Sequence, residues 1–186
     1  MTKKGSFLKT FLKDRQVGAM SPSSRFLANK MLENINFDEA KVIVELGPGT
    51  GVFTHVLLEK MRPDATLLVF ELNTEFYTQL TKNVLDPRAQ LIHDSAEKIE
   101  EYLHKAGFQE ADAIVSSLPL AMFSSDLRKN ILNASKSALK KDGKYIQFQY
   151  SLQSKKRLEK TFDKVSIRFT PLNFPPAFIY TCTKTE

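Results

Sequence analysis

The sequence predicts an α/β fold: a doubly wound, mostly parallel seven-stranded sheet with an antiparallel C-terminal hairpin and an N-terminal amphipathic helix. Short β-branched and apolar runs alternate with helical patterns from residue 41 to residue 162, and strands spaced by helices form parallel sheets. A glycine-rich segment follows the first of these runs. The last two runs, 165–171 and 177–183, lie close enough in the chain to pair as a hairpin.

The elements follow in order from the N-terminus. Residues 6–15 place four apolar side chains on one helical face, with lysine and arginine beside them, which predicts a short amphipathic helix. The next helix starts at Ser21, which can cap it, and Pro22 suits its first turn. A Lys-Asp-Gly turn at 141–143 is predicted to separate the last long helix from the fifth strand. The predicted strands are 41–46, 66–70, 89–93, 113–116, 144–150, 165–171 and 177–183, and the predicted helices after the first are 21–35, 52–61, 74–84, 96–106, 126–139 and 155–162.

Length and composition limit the class of protein. The 186 residues contain no linker-like segment, which predicts one domain at 21–186 preceded by the helical segment 1–20. A single cysteine, Cys182, excludes an internal disulfide and favours a reducing, cytosolic compartment. No apolar run approaches the roughly 18 residues of a membrane-spanning helix, and the N-terminus lacks the pattern of a signal peptide. We therefore expect a cytoplasmic protein that does not span a membrane.

The net charge of +6 is unevenly distributed. Residues 1–20 have a net charge of +4 and residues 141–186 a net charge of +5, whereas residues 21–140 have a net charge of −3. Basic ends on an acidic centre indicate an anionic partner, either a membrane surface or a nucleic acid. The basic run at 155–157 extends this basic surface or is a solvated helix face.

The strongest local signal is the glycine loop after the first strand. Three of the seven glycines, Gly47, Gly49 and Gly51, fall within five residues, with Pro48 between the first two and Glu45 two residues before the loop. Glycine is required where the backbone turns sharply or approaches a ligand closely. A loop between a strand and a helix is the place of a nucleotide-type site in a parallel sheet.

Two further strand ends add acidic side chains. Glu71 ends the second strand and is placed to accept hydrogen bonds from ribose hydroxyls, and Asp94 follows the third and is placed to accept from an adenine amino group. Together with the glycine loop they resemble class I S-adenosylmethionine-dependent methyltransferases, which implies a Rossmann-like fold and S-adenosylmethionine as cofactor, with no metal. The cofactor-binding residues that the resemblance implies are Glu45, Gly47, Pro48, Gly49, Gly51, Glu71, Leu72, Asp94, Ser95, Ala96 and Ser116.

The fourth strand ends in Ser117-Leu118-Pro119-Leu120. This position resembles the Asn/Asp-Leu/Pro-Pro-aromatic motif of amino-group methyltransferases, in which side-chain and main-chain oxygens hold the acceptor nitrogen. Here Ser117 replaces the Asn, and Leu120 replaces the aromatic residue that stacks on a planar base. Both departures argue against an adenine substrate, because a saturated amine offers no face for stacking. The alternative interpretation is a strand-ending loop without a catalytic role.

Longer stretches resemble the bacterial phospholipid N-methyltransferases, a family that is similar to the ribosomal RNA adenine dimethylases. The matching stretches are 17–25, 117–120, 145–151 and 173–177. The resemblance implies that Arg25 approaches the methionine carboxylate, the acceptor or a lipid phosphate, unless it is a solvated helix charge. Tyr150 is expected to bond the lipid phosphate or the amine, or to pack with its hydroxyl in water. The implied catalytic residues are Ser117, Leu118, Pro119, Tyr150 and Arg25.

The resemblance implies methylation of phosphatidylethanolamine towards phosphatidylcholine, by an enzyme peripherally associated with the inner face of the cell membrane. In this interpretation the helix at 6–15 contacts anionic lipid, and nucleic acid is not the partner. The alternatives are an rRNA adenine N6-methyltransferase, an enzyme for another amine lipid such as an ornithine lipid or for a small amine, and a cofactor-binding module without catalysis. About 35 residues follow Tyr150, too few for the helical domain expected of the RNA enzyme.

Overall fold

The computed structural model describes residues 22–171, 173 and 175–186, and the predicted helix at 6–15 lies outside them. Helices and strands alternate as predicted along the described chain. In chain order they are α1 Pro22–Leu32, β1 Val42–Leu46, α2 Val52–Lys60, β2 Thr66–Phe70, α3 Thr74–Asn83, β3 Ala89–Ile92, α4 Ile99–Lys105, β4 Ala111–Ser116, α5 Ser125–Ala138, β5 Leu139–Gln149, α6 Lys155–Thr161, β6 Lys164–Thr170 and β7 Ala177–Thr183.

All seven strands form one sheet in the order β3-β2-β1-β4-β5-β7-β6. The first five strands pair in parallel, and β7 inserts antiparallel between β5 and β6. This confirms the predicted doubly wound sheet and its antiparallel C-terminal hairpin. The strand order reverses between β1 and β4, and ligands of such sheets bind outside the carboxyl ends of the strands at that point.

Helices cover the sheet on both faces, so the central strands are buried on both sides. All five residues of β1 are buried, and alternate residues enter different layers. Ile43 packs with Met31 and Leu57 on one face, whereas Val44 packs with Ile99 and Leu132 on the other. The two apolar layers fix β1 and β4 as a rigid base for the loops that follow them.

Most predicted boundaries differ from the observed ones by one to five residues, and three of the differences have an evident structural form. The predicted turn at 141–143 lies within β5, which already pairs with β4 through Leu139. There Asp142 has φ 62, and its N–H donates to the Lys184 carbonyl (2.7 Å), so residues beyond β7 hold the irregular stretch in the sheet. The strand ends at Gln149, so Tyr150 follows it. The third correction concerns the helix predicted at 96–106, which begins as a 3₁₀ turn, Ala96–Lys98. In the part of the chain described here, no helix is both long enough and apolar enough to cross a bilayer.

Candidate active site

The glycine loop lies at the point where the strand order reverses. Its three glycines have φ values of 66, 60 and 86°, a region that side chains disfavour. The Gly47 N–H donates to the Phe70 carbonyl of β2 (2.9 Å), which anchors the loop to the neighbouring strand. A Cβ on Gly47 would lie 2.7 Å from Leu118 Cδ2. The loop after β1 and the turn after β4 therefore touch across the switch point.

Glu71 is fixed by the backbone of two loops. Its Oε2 accepts from the Gly49 N–H (3.1 Å), and its Oε1 accepts from the Asn73 N–H (2.8 Å). A carboxylate offers about four acceptor positions, so it retains capacity for hydroxyl donors. Glu71 therefore joins the glycine loop to the end of β2 and still presents acceptor positions at the carboxyl edge.

Asp94 follows β3, and its carboxylate accepts hydrogen bonds from three donors. It accepts from Lys98 Nζ (2.9 Å), the Ser95 N–H (2.7 Å) and the Tyr102 hydroxyl (3.0 Å). The hydrogen bond from Lys98, followed by that from the Ser95 backbone, lowers the pKa of Asp94 to about 2. The side chain is therefore an ionised acceptor at neutral pH.

A first cavity of about 360 Å³ opens along these loops, and we call it the cofactor cavity. Six of the predicted cofactor-binding residues line it, among them Leu72, whose side chain is 68% exposed. The six are Gly47, Glu71, Leu72, Asp94, Ser95 and Ala96. The wall also includes Phe123, together with residues that sequence reasoning missed, Phe70, Asn73, Phe76, Leu127 and Ile131. A cavity of this size with acidic acceptors at two strand ends suits a nucleoside with a cationic tail.

The other predicted cofactor-binding residues lie behind this wall. Glu45 is fully buried in β1 and accepts from the Thr54 hydroxyl (2.6 Å). The Pro48 carbonyl accepts from the Gly51 N–H (3.1 Å) and closes the loop. Gly49 acts through Glu71, as described above, and Ser116 accepts from the Leu118 N–H (3.3 Å). These groups shape the loops rather than line the cavity.

A second cavity of about 410 Å³ lies beside the first, and we call it the acceptor cavity. The two cavities share Leu118 and Pro119, so the turn after β4 separates them. Four of the five predicted catalytic residues line the acceptor cavity. Its wall consists of Ser117, Leu118, Pro119, Ala121, Met122, Phe148, Gln149, Tyr150, Ser151 and Gln153, and is mainly apolar.

Ser117 is a buried polar residue of the acceptor cavity wall, next to the shared residues Leu118 and Pro119. Its N–H donates to the Leu46 carbonyl (2.9 Å), and its side chain is only 2% exposed. Within the described residues its Oγ has no hydrogen-bond partner. Buried hydroxyls are rarely left unpaired, because desolvation costs about 1–3 kcal/mol. Ser117 is also one of the residues that line the acceptor cavity.

Leu120 does not face either of these cavities. It is fully buried in the apolar layer that contains Val44 and Leu132. The position at which related amino-group enzymes carry a stacking aromatic is thus occupied by a core leucine.

Two glutamines on β5 were missed as site residues. The Leu118 carbonyl accepts from Gln147 Nε2 (2.9 Å) and from Gln149 Nε2 (3.2 Å). The Tyr145 hydroxyl donates to Gln147 Oε1 (2.6 Å) and so orients that amide. Burial raises the pKa of Tyr145, which stays a neutral donor. A signal was present in the sequence, since two amides at alternate positions of an apolar strand lie on one face.

The structure does not bring Arg25 to these cavities. Its side chain is 53% exposed and forms an ion pair with Glu59, which links α1 to α2.

The described residues also contain no group of three or more His, Cys, Asp or Glu side chains arranged to hold a metal ion.

A solved structure shares the fold of this chain. The crystal structure of 1,6-didemethyltoxoflavin-N1-methyltransferase from Burkholderia thailandensis, with bound 1,6-didemethyltoxoflavin and S-adenosylhomocysteine, has a TM-score of 0.72. The match covers 98% of this chain and 87% of that chain at 13% identity, which is a likeness of fold. Fold, glycine loop and acidic strand ends define a class I S-adenosylmethionine-dependent methyltransferase, and S-adenosylmethionine is its cofactor.

The family follows from the sequence comparisons. The family model for ribosomal RNA adenine dimethylases matches residues 4–165, and the chain belongs to this family. Ornithine lipid N-methyltransferase of Singulisphaera acidiphila is 31% identical over 180 residues, which cover 95% of this chain and 93% of that protein. Ribosomal RNA small subunit methyltransferase A of Ureaplasma urealyticum is 26% identical over 166 residues, and the match covers 86% of this chain but 54% of that protein.

The contact between the two loops gives a testable prediction. Gly47→Ala adds a methyl group 2.7 Å from Leu118 Cδ2, the far end of a flexible side chain, at φ 66°. We therefore expect a loss of about 1–3 kcal/mol in the free energy of unfolding, from the strained backbone and from displacement of the Leu118 side chain. Gly107→Ala is the matched control, because it has φ 86° but no atom within 4 Å of the added Cβ; we expect a loss of about 1 kcal/mol. Urea unfolding measures both, and equal losses would show that the loops do not pack tightly.

Proposed function

We propose that this methyltransferase transfers methyl groups from S-adenosylmethionine to the primary amine of a membrane lipid headgroup. The observation that carries the proposal is the mainly apolar acceptor cavity, which meets the cofactor cavity at the Ser117–Leu120 turn. An apolar wall suits a saturated amine attached to a lipid better than a charged or planar base. The similarity to an ornithine lipid N-methyltransferase over 95% of the chain supports the same substrate class.

The residues of the cofactor cavity fit S-adenosylmethionine. We propose that Glu71 accepts from the ribose hydroxyls, that Asp94 accepts from the adenine amino group, and that Leu72, Ser95 and Ala96 line the adenine. The glycine loop keeps side chains away from the cofactor. The bound cofactor supplies a methyl group on a sulfonium centre, which an amine lone pair can displace.

The acceptor cavity prepares the amine. A lipid amine titrates near lysine, at about pH 10, and must lose a proton before its lone pair is available. The apolar wall disfavours the charged form and lowers the pKa of the amine. Ser117 Oγ accepts an N–H and so directs the lone pair towards the junction of the two cavities. Alignment of the reacting groups contributes most of the remaining rate enhancement.

Two headgroups share this chemistry. The sequence resemblance predicted phosphatidylethanolamine, and the relative from Singulisphaera acidiphila is named for ornithine lipid. Both present a primary amine to the cavity. The roles of Tyr150 and of Arg25 in binding a phosphate or a carboxylate remain proposals, and Tyr150 is the better placed of the two because it lines the acceptor cavity.

Methylation of rRNA adenine is the second candidate, because the family model is that of ribosomal RNA adenine dimethylases and both ends of the chain are basic. The burial of Leu120 argues against it, since no aromatic side chain stands at the usual stacking position.

We also propose that residues 1–20, with their amphipathic pattern, attach the enzyme to the anionic inner face of the cell membrane.

A substrate panel tests the proposed function. The protein is incubated with radiolabelled S-adenosylmethionine and with vesicles of anionic lipid that contain phosphatidylethanolamine or ornithine lipid, or with rRNA. We expect label in an amine lipid and co-sedimentation of the protein with the vesicles, and the labelled headgroup identifies the substrate. Label in rRNA alone would overturn the proposal, and cofactor binding without transfer would indicate a binding module.

Ser117→Ala separates activity from stability. The variant loses a buried hydroxyl that has no partner within the described residues, so we expect a melting temperature that is unchanged or raised. We expect kcat/KM for the amine lipid to fall at least about fivefold, because the amine loses its acceptor. Ser135→Ala is the control: that buried hydroxyl donates to Ile131 in α5 (2.7 Å), and transfer should be unaffected. A parallel loss of stability and activity in Ser117→Ala would indicate a structural hydroxyl.

Asp94→Ala tests the placement of the adenine. The variant loses an ionised acceptor on the wall of the cofactor cavity, so we expect S-adenosylmethionine to bind about tenfold more weakly in calorimetry. Asp94→Asn keeps the shape and one acceptor oxygen, and should bind the cofactor with a smaller loss. Unchanged affinity in the alanine variant would mean that the adenine lies elsewhere.

A further inference from the structure

Exposed apolar side chains are concentrated at one edge of the sheet. Among the residues that the structure describes, five large apolar or aromatic side chains are strongly exposed, and four of them lie at the carboxyl ends of strands. The fifth, Leu85, is 81% exposed and precedes β3, at the opposite edge. Single exposed apolar residues are normal on a protein surface, whereas their concentration beside a cavity indicates an interaction site.

Three of these side chains lie on the side of the edge that contains the acceptor cavity, and we call them the apolar rim. Tyr150 lines the cavity, and Leu152, which is 47% exposed, lies between two further residues of its wall. Phe169 pairs with Phe178, whose other neighbour across the sheet is Gln149 of the cavity wall. The acceptor cavity therefore opens beside exposed apolar side chains.

The connections on this side of the edge lack charged residues. Segments 117–124 after β4, 150–154 after β5 and 171–176 after β6 contain no Asp, Glu, Lys, Arg or His, although 26% of the whole chain is charged. On the cofactor side, by contrast, Glu71 and Asp94 follow β2 and β3. Surfaces that face only water are usually rich in charged side chains, so the uncharged connections suit a less polar surrounding.

Cations flank the apolar rim where the chain enters α6. Lys155 and Lys156 are exposed in the first turn of this helix, and Lys155 also lies 3.8 Å from Glu159. The first turns of α5 and α6 contain one acidic residue, Asp126. Apolar side chains bordered by lysines fit the interface of an anionic bilayer, where the apolar groups enter the boundary and the cations meet the headgroups.

We propose that the apolar rim, together with Lys155 and Lys156, docks on an anionic bilayer, so that the amine headgroup enters the acceptor cavity directly from the membrane. This inference rests on the proposed function, because the acceptor is a lipid. Withdrawal of a whole lipid would expose its acyl chains to water, at a cost that grows with every CH₂ group. Docking of the rim avoids this cost, because the chains stay in the bilayer while the headgroup reaches the cavity.

Leu152→Trp tests the contact at the rim, because the chain contains no tryptophan and a single indole reports only its own surroundings. Vesicles of phosphatidylglycerol and phosphatidylcholine should shift its emission to the blue, and bromine-labelled acyl chains should quench it. Leu85→Trp is the matched control, since that position is exposed at the opposite edge of the sheet. We expect neither a shift nor quenching in the control.

The lysines are tested separately. The double variant Lys155→Gln/Lys156→Gln should bind the same vesicles at least about fivefold more weakly in co-sedimentation, and the loss should disappear at high salt. Lys141→Gln/Lys164→Gln is the control, because both lysines are exposed near the amino ends of β5 and β6. It should reduce binding much less. Equal binding by the two double variants would contradict the proposed surface.

The outcomes separate this surface from the proposed function. Transfer to an amine lipid in detergent micelles, with no vesicle response from Leu152→Trp, would overturn the docking surface alone. A blue shift that grows with protein concentration in the absence of vesicles would show a second copy of the chain on the rim, and would also overturn it. Absence of transfer to an amine lipid in either form by the wild type would refute the proposed function instead.

Discussion

The site depends on the contact between Gly47 and Leu118. The loop after β1 and the turn after β4 come from adjacent parallel strands, and a Cβ at position 47 would displace the Leu118 side chain. Because they touch, Leu118 and Pro119 form a thin wall with a cavity on each side. A wall of this kind is what methyl transfer requires, since donor and acceptor must approach each other from separate pockets with water excluded.

The rigidity of this wall comes from the sheet beneath it. Strands β1 and β4 are buried on both faces, and the Ser117 N–H bonds to the end of β1. On the other side the Leu118 carbonyl is tied to β5 by two amides. The turn is therefore held from both neighbouring strands. Side-chain freedom at the junction of the cavities is small, which favours a fixed orientation of the acceptor.

The sequence was sufficient for the parts of the site that are local in the chain. The glycine loop, Glu71 and Asp94 each lie at the carboxyl end of a predicted parallel strand. Because these strand ends meet at one edge of the sheet, the sequence predicted that the three would lie together. The bonds from Gln147 and Gln149 to Leu118 join residues 29 and 31 positions apart, and no local pattern predicts which carbonyl an amide reaches. The ion pair of Arg25 with Glu59 spans 34 positions, and its place away from both cavities was missed for the same reason.

The beginning of β5 shows how tertiary pairing overrides a local signal. Lys-Asp-Gly at 141–143 is typical of a turn, and Asp142 does adopt a left-handed conformation. The stretch nevertheless stays in the sheet, because the Asp142 N–H and the Gly143 carbonyl both bond to the backbone of Lys184. The sequence pattern indicates the left-handed backbone at Asp142 correctly here, but the partner that holds this stretch in the sheet, Lys184, is distant in the sequence.

The polar groups around the turn after β4 differ in how fully they are hydrogen-bonded. Every buried acceptor that is already paired is of little use to a substrate, because a new donor must displace an existing one at a cost in free energy. The two glutamines satisfy the backbone carbonyl of the turn, whereas the buried Ser117 hydroxyl has no partner among the described residues. An unpaired buried hydroxyl costs about 1–3 kcal/mol, and in the proposed function an amine N–H would offset that cost. On that proposal, affinity for the amine arises from the oxygen that the fold leaves unsatisfied within a mainly apolar wall.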